Sequence, residues 1–186
     1  MPAVIDRYSF TVADYHRMAE TGILTEDDRV ELINGEIIAM SPINSPHGGS
    51  VKRINAFFTQ LLGDQAIVSV QDPLVIGNNS EPEPDVMLLK PRDDFYTKTH
   101  PQAEDVYLLI EVADSSLRVD RQVKLPLYAS AGVPEVWIVN LTDQQVEVYR
   151  SPLKKTYQEM ETIRRGQKIA LPHFSLLVAA EALIGQ

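Results

Sequence analysis

The chain has 186 residues, 44% hydrophobic and 23% charged, with 17 Lys and Arg against 26 Asp and Glu, a formal net charge of −9. This length and composition fit one globular domain over 1–186 rather than a disordered chain, and no run of about 18 apolar residues could cross a bilayer. Cysteine is absent, which excludes disulfide frameworks, thiolate zinc sites and cysteine nucleophiles, and the acidic total argues against coating nucleic acid by bulk charge.

Residues 1–10 show neither the basic segment nor the apolar core of a signal peptide, so a cytoplasmic setting is expected. Thr11, with Asp14 three residues on, predicts a capped first helix that stops near Gly22. Asn34-Gly35 lies between the apolar-rich segments 29–33 and 36–40, a strong hairpin signal because a type I′ turn needs positive φ at both positions. Ser45-Pro46 reads as the N-cap and first residue of a second helix running to Leu62. Its apolar positions Val51, Ile54, Phe57, Phe58, Leu61 and Leu62 recur at helical spacing.

Strands are expected over 66–70, 73–76, 85–89 and 106–112. The last of these is almost wholly apolar, as befits a central strand buried on both faces. A helix capped by Ser115 or Ser116 should run to Ala131 and end at Gly132, with Pro126 kinking it or delaying its start. Beyond it come a strand over 135–140 holding the sole tryptophan, Trp137, a hairpin over 146–150 and 156–163, and a last helix over 174–182. Helices interleaved with strands in this way predict a mixed α/β sheet. Between Arg150 and Lys168 lie six basic and two acidic residues, a local net of +4. A solvated basic hairpin explains this more simply than an anionic partner.

Ionisable residues stand in strained places. Asp85 opens an apolar strand just after Pro84, and Glu111 ends the most hydrophobic strand in the chain. Carboxylates are seldom buried unless paired or bound to metal. Asp120, Lys124 and Tyr128 follow at i, i+4 and i+8 on the next helix. Two carboxylates at one sheet edge would offer hard oxygen ligands suited to Mg²⁺ or Mn²⁺. Such an ion could acidify a bound water and offset phosphate charge, with a lysine nearby to orient the water, which together make a phosphodiesterase site.

Pro84-Asp85, then Glu111-Val112-Ala113, then Lys124 resemble the PD-(D/E)XK nuclease superfamily. More closely, the segment from Val30-Glu31 through Glu36, Glu83-Pro-Asp85, Ile110-Glu111-Val112, the Asp120, Lys124 and Tyr128 series, and Gly132-Val-Pro-Glu-Val-Trp137 resemble the Uma-type restriction endonuclease family, over about residues 10–180. The resemblance implies an α/β (α+β mixed) restriction-endonuclease-like core, a central mixed sheet flanked by helices. It implies metal binding at Asp85 and Glu111, with the Val112 carbonyl as a third ligand. It also implies that the motif lysine, replaced here by Ala113, has moved to Lys124. Glu31 matches an early acidic position of the family, and His47 stands at a helix start where histidine is common.

Each residue also has a plainer reading. Asp85 could be a strand-entry residue bonded to a turn, and Lys124 a surface partner of Asp120 worth about 0.3–0.5 kcal/mol. Tyr128 could be a packing residue with a wet hydroxyl, Glu31 a cross-hairpin ion-pair partner, and His47 a first-turn surface residue. His16, His100 and His173 have no acidic neighbours at metal-ligand spacing and read as incidental. No phosphate-cradling Gly-rich loop and no Gly-x-Ser-x-Gly elbow is present. The leading expectation is a Mg²⁺- or Mn²⁺-dependent DNA endonuclease acting as a homodimer, with the strand over 135–140 as a candidate contact. The alternatives are a nuclease-fold protein that binds nucleic acid or a protein without cleaving, and an enzyme of small phosphoesters.

Overall fold

The computed structural model of the protein describes residues 7–25 and 27–185. Residues 1–6, most of the segment that bears on a leader peptide, lie outside them. Helix α1 (Val12–Glu20) begins as its sequence predicts, with Thr11 and Asp14 forming a reciprocal capping box. Strands β1 (Val30–Ile33) and β2 (Glu36–Ala39) form the expected hairpin, with φ of 52° at Asn34 and 79° at Gly35. Only glycine suits the second position, because a Cβ there would fall 1.9 Å from Ser9 Oγ. Helix α2 (Ser45–Leu62) spans the predicted range, but its cap is Asn44, whose side chain accepts from the His47 amide at 3.0 Å. Ser45 is thereby the first helical residue and Pro46 the second.

The central sheet has six strands in the order β3 (Ile67–Ser69), β4 (Val86–Leu89), β5 (Val106–Ala113), β6 (Glu135–Asn140), β7 (Gln145–Leu153), β8 (Thr156–Arg164). Every neighbouring pair is antiparallel except β5 and β6. Parallel neighbours need a crossover, and the helical segment from α3 (Leu117–Val119) to α4 (Leu125–Ala131) supplies it. Side chains alternate across β5. Leu108, Ile110 and Val112 join α2 and the C-terminal elements in one core, while Leu109 and Ala113 join α4 in a second core on the opposite face. Trp137, fully buried, belongs to the first.

Pro126 does not delay the crossover helix, which begins at Leu117, but the winding is irregular just before it. Residues Asp120–Lys124 form a π turn in which the Leu125 amide bonds the Asp120 carbonyl. The wide turn absorbs the amide that proline lacks. Three expectations fail. Residues 73–76 form no strand, because Pro73 lacks an N–H and the amides of Leu74, Val75 and Ile76 bond the loop carbonyls of Pro82, Pro101 and Ser80. The predicted last helix over 174–182 is instead a hairpin of β9 (Lys168–Leu171) and β10 (Leu176–Ala179), followed by the short α5 (Glu181–Ile184). Ser175, at φ 54°, turns the chain back there, and Ile169, Leu171 and Val178 fill the first core. Finally, β6 is buried along its whole length and offers no exposed apolar face for a dimer contact. No helix among the described residues is long and apolar enough to cross a membrane.

Candidate active site

Pro84 cannot donate to a ladder, so β4 begins only at Val86, opposite Ile110 of β5. Past that pair the Val112 amide has no backbone partner on β4 and donates instead to Asp85 Oδ2 at 2.8 Å. Asp85 is thus fixed at the sheet edge by a main-chain donor, with Gln71 Nε2 at 3.3 Å from its other oxygen. His47 reaches the same carboxylate from the first turn of α2, its Nε2 3.1 Å from Oδ2. His47 Nδ1 is buried and, among the described residues, without a hydrogen-bond partner.

Glu111 shares a strand face with Leu109 and Ala113, so its side chain leaves β5 toward α4, where the Tyr128 hydroxyl donates to Oε1 at 2.6 Å. Lys124 closes the arrangement, its Nζ 2.9 Å from Glu31 Oε1 and 3.3 Å from Glu111 Oε1. The π turn makes this reach possible. A regular helix would stack Lys124 over Asp120, but the wide turn separates them, and Asp120 takes the Ser116 hydroxyl at 2.7 Å. The simple Asp120–Lys124 surface pair is therefore not formed. Lys124 is buried between carboxylates from β1 and β5.

Six carboxylates, those of Glu31, Glu83, Asp85, Glu111, Asp114 and Asp120, line one cleft of about 170 Å³ that also holds His47 and Lys124. Burial pushes Glu111 up to about 8 against the pull of Lys124, and burial likewise lifts Asp120 to about 6 against its bond from Ser116. Desolvation works against the Lys124 ammonium, but Glu111 and Glu31 outweigh it and hold the lysine above its ordinary range. The hydrogen bond His47 gives to Asp85 raises the histidine despite partial burial. Glu83 is raised by burial and by neighbouring Glu31. So much buried negative charge beside one ammonium favours either retained protons or a bound divalent cation, and the donor set of carboxylates with a nearby backbone carbonyl fits Mg²⁺ or Mn²⁺.

All the sequence-derived candidates, Glu31, His47, Asp85, Glu111, Val112 and Lys124, therefore meet around this cleft. Gln71 is an addition with no sequence signal, since it gains its position only from the turn at φ 54° that precedes Asp85 by a long loop. Asp120 was visible as a same-face neighbour of Lys124, but its burial follows from the π turn.

Comparison with known proteins places the whole chain rather than its individual residues. The Uma2 family pattern, described as "Putative restriction endonuclease", matches residues 12–180. The chain belongs to the Uma2 family. As a Uma2 protein it is placed among nucleases by that family's description. No curated protein matches it. A crystal structure described as "a putative nuclease belonging to DUF820 from Anabaena variabilis ATCC 29413" is similar with a TM-score of 0.68 and 18% identity. The similarity covers 89% of this Uma2 chain and 95% of that one. At that identity it shows the shared fold, a central mixed sheet flanked by helices.

Proposed function

We propose that the protein is a divalent-metal-dependent DNA endonuclease whose site is built from Asp85, Glu111 and Lys124, with Glu31 and His47 in support. The observation that carries this reading is the position of Lys124. Ala113 occupies the usual motif position and is buried in the core, yet an ammonium still reaches Glu111 from the crossover helix. The site thus regains the cation that its motif lacks.

Asp85 and Glu111 would hold the ion. The Val112 carbonyl would join them, because N–H and C=O of one strand residue face the same neighbour and the Val112 amide already faces Asp85. When bound, Mg²⁺ or Mn²⁺ supplies charge neutralisation at the scissile phosphate and a more acidic water. Lys124, held by Glu31, would donate to the attacking water or to a non-bridging phosphate oxygen and so orient the attack. His47, whose hold on a proton Asp85 strengthens, stands at the cleft wall, where it would act as the acid toward the departing oxygen. Tyr128 fixes the Glu111 carboxylate in one orientation. Its role is positional.

Cutting both strands of a duplex calls for two such sites, which we propose a homodimer provides; light scattering on the purified chain checks this. The central test is nicking of supercoiled plasmid with Mg²⁺ or Mn²⁺. Wild type should nick, and Asp85→Asn and Glu111→Gln should lose activity by about 10³-fold or more while keeping their folded circular dichroism. Failure of wild type to cleave any DNA with either ion sinks the enzymatic reading. DNA binding without turnover would support a silent nuclease fold in its place.

A further inference from the structure

A second set of metal-ligating side chains gathers on the far side of the Glu81–Asp85 run. His16 Nε2 lies 2.9 and 2.8 Å from the two carboxylate oxygens of Glu81. The His100 ring stands 6.2 Å from that of His16, tilted by 65°. One ligand atom from each of His16, Glu81 and His100 lies within 4.8 Å of the others, the one group of three such side chains among the described residues. The reading of His16 and His100 as incidental fails, because partners far apart in sequence are adjacent in the fold.

Two observations say that the cluster lacks something. Glu81 is only 4% exposed, and its sole ion-pair partner among the described residues is His16. A buried carboxylate facing a half-exposed imidazole is poorly compensated. Helix α1, which carries His16, buries no residue at all. Nonlocal hydrogen bonds hold its start and the side facing β1, from the Val12 amide to Asn78 O at 2.7 Å and from the Tyr15 hydroxyl to Val30 O at 2.9 Å. A helix whose best-covered residues, Val12, Tyr15 and Met18, are only half-buried gains from a further anchor.

We propose that His16, Glu81 and His100 bind a zinc-class divalent cation, at a site separate from the carboxylate cleft. Two imidazoles with one carboxylate suit Zn²⁺ or Co²⁺ and not the oxygen-seeking Mg²⁺. The ion takes the place of the hydrogen bond between His16 Nε2 and Glu81. His100 and the cleft it shares with Tyr96 and Gln102 leave the site open for entry and for one water ligand. The ion ties α1 and the loop before Pro101 to the run that carries Glu83 and Asp85. It is a clamp behind the cleft, and it stands whether or not the cleft cleaves DNA.

The test is calorimetric titration of the chelator-stripped full chain with Zn²⁺ in excess Mg²⁺, alongside visible spectra with Co²⁺ and thermal melts. Wild type and Asp85→Asn should each bind a single equivalent of Zn²⁺, show nitrogen-ligated Co²⁺ bands and melt higher with Zn²⁺. Affinity should fall roughly tenfold or more in His16→Ala and in His100→Ala. The His100 ring is exposed, so that variant keeps its fold. Zn²⁺ binding that is equal in wild type and His100→Ala, lost in Asp85→Asn, or absent altogether overturns the proposal.

Discussion

Replacing Lys124 by Met removes one charge and little volume, and it leaves two buried carboxylates without their cation. The lysine side chain is 8% exposed, and those of its partners Glu31 and Glu111 are 6% and 4% exposed. Breaking a buried pair from one side costs about 3–5 kcal/mol, because the stranded carboxylates stay desolvated. With a urea slope of about 2 kcal/mol/M, a loss of about 4 kcal/mol lowers the midpoint by about 2 M. The loss must also depend on pH. Glu111 is already raised from 4.5 to about 8 in the folded protein. The stability this contributes is complete below 4.5 and disappears as pH rises through about 8. Without the ammonium the carboxyl climbs further, so the variant keeps its proton where wild type loses it, and the gap between them should widen from about pH 7 to about pH 9.5. Urea melts at both pH values, metal-free and with Mn²⁺, measure this, and Mn²⁺ should restore part of the loss. A midpoint within about 0.3 M of wild type, or a gap equal at both pH values, would refute the argument.

Asp120→Asn keeps the Ser116 hydrogen bond and removes a carboxyl raised to about 6 by burial. The metal-free variant should match wild type near pH 4 and exceed its stability by about 1–2 kcal/mol near pH 7.5; a gap that ignores pH counts against the assignment. Arg121→Met strands Glu147, which is fully buried and held by a two-pronged contact with that arginine. It should cost about 3 kcal/mol in denaturant melts, with Glu147→Gln in the same background recovering part. Gly35→Ala places a Cβ against Ser9 in a left-handed turn, and a drop of about 1–3 kcal/mol is expected in the same melts. Trp137 is fully buried and is the sole tryptophan, so its emission should be blue-shifted and move red in step with far-ultraviolet circular dichroism.

Much of the site was legible because it violates the pattern around it. Asp85 and Glu111 are charges in apolar strands, and period-two alternation places Glu111 on the face where Tyr128 and Lys124 wait. Local signals also sufficed for the Thr11 cap, the Asn34-Gly35 turn and the apolar stripe of α2. What escaped depends on contacts remote in sequence. The stretch Phe174–Ala182 reads as helical, yet pairing with Lys168–Leu171 overrides that preference. Pro73–Ile76 carries strand-like residues, but its amides find loop carbonyls instead. The meeting of His16, Glu81 and His100 has no local trace. Of the basic residues between Arg150 and Lys168, Arg150 is engaged by Glu135, Glu161 and the Ala170 carbonyl, and Arg165 by Gly185 and Gln144. Lys154, Lys155, Arg164 and Lys168 stay exposed.

The π turn sets the angular phase of the crossover helix. Each residue of an α-helix advances about 100° around the axis, so the extra residue at 120–124 offsets everything before it from everything after it. Tyr128 and Leu127 keep their places against the sheet while Lys124 swings to face Glu31. A single deletion inside that turn would restore regular winding and rotate either the lysine out of the cleft or the tyrosine out of the core. This five-residue stretch is consequently less tolerant of length change than any exposed loop of the protein, although Gln122, exposed at its centre, is free to vary in side chain.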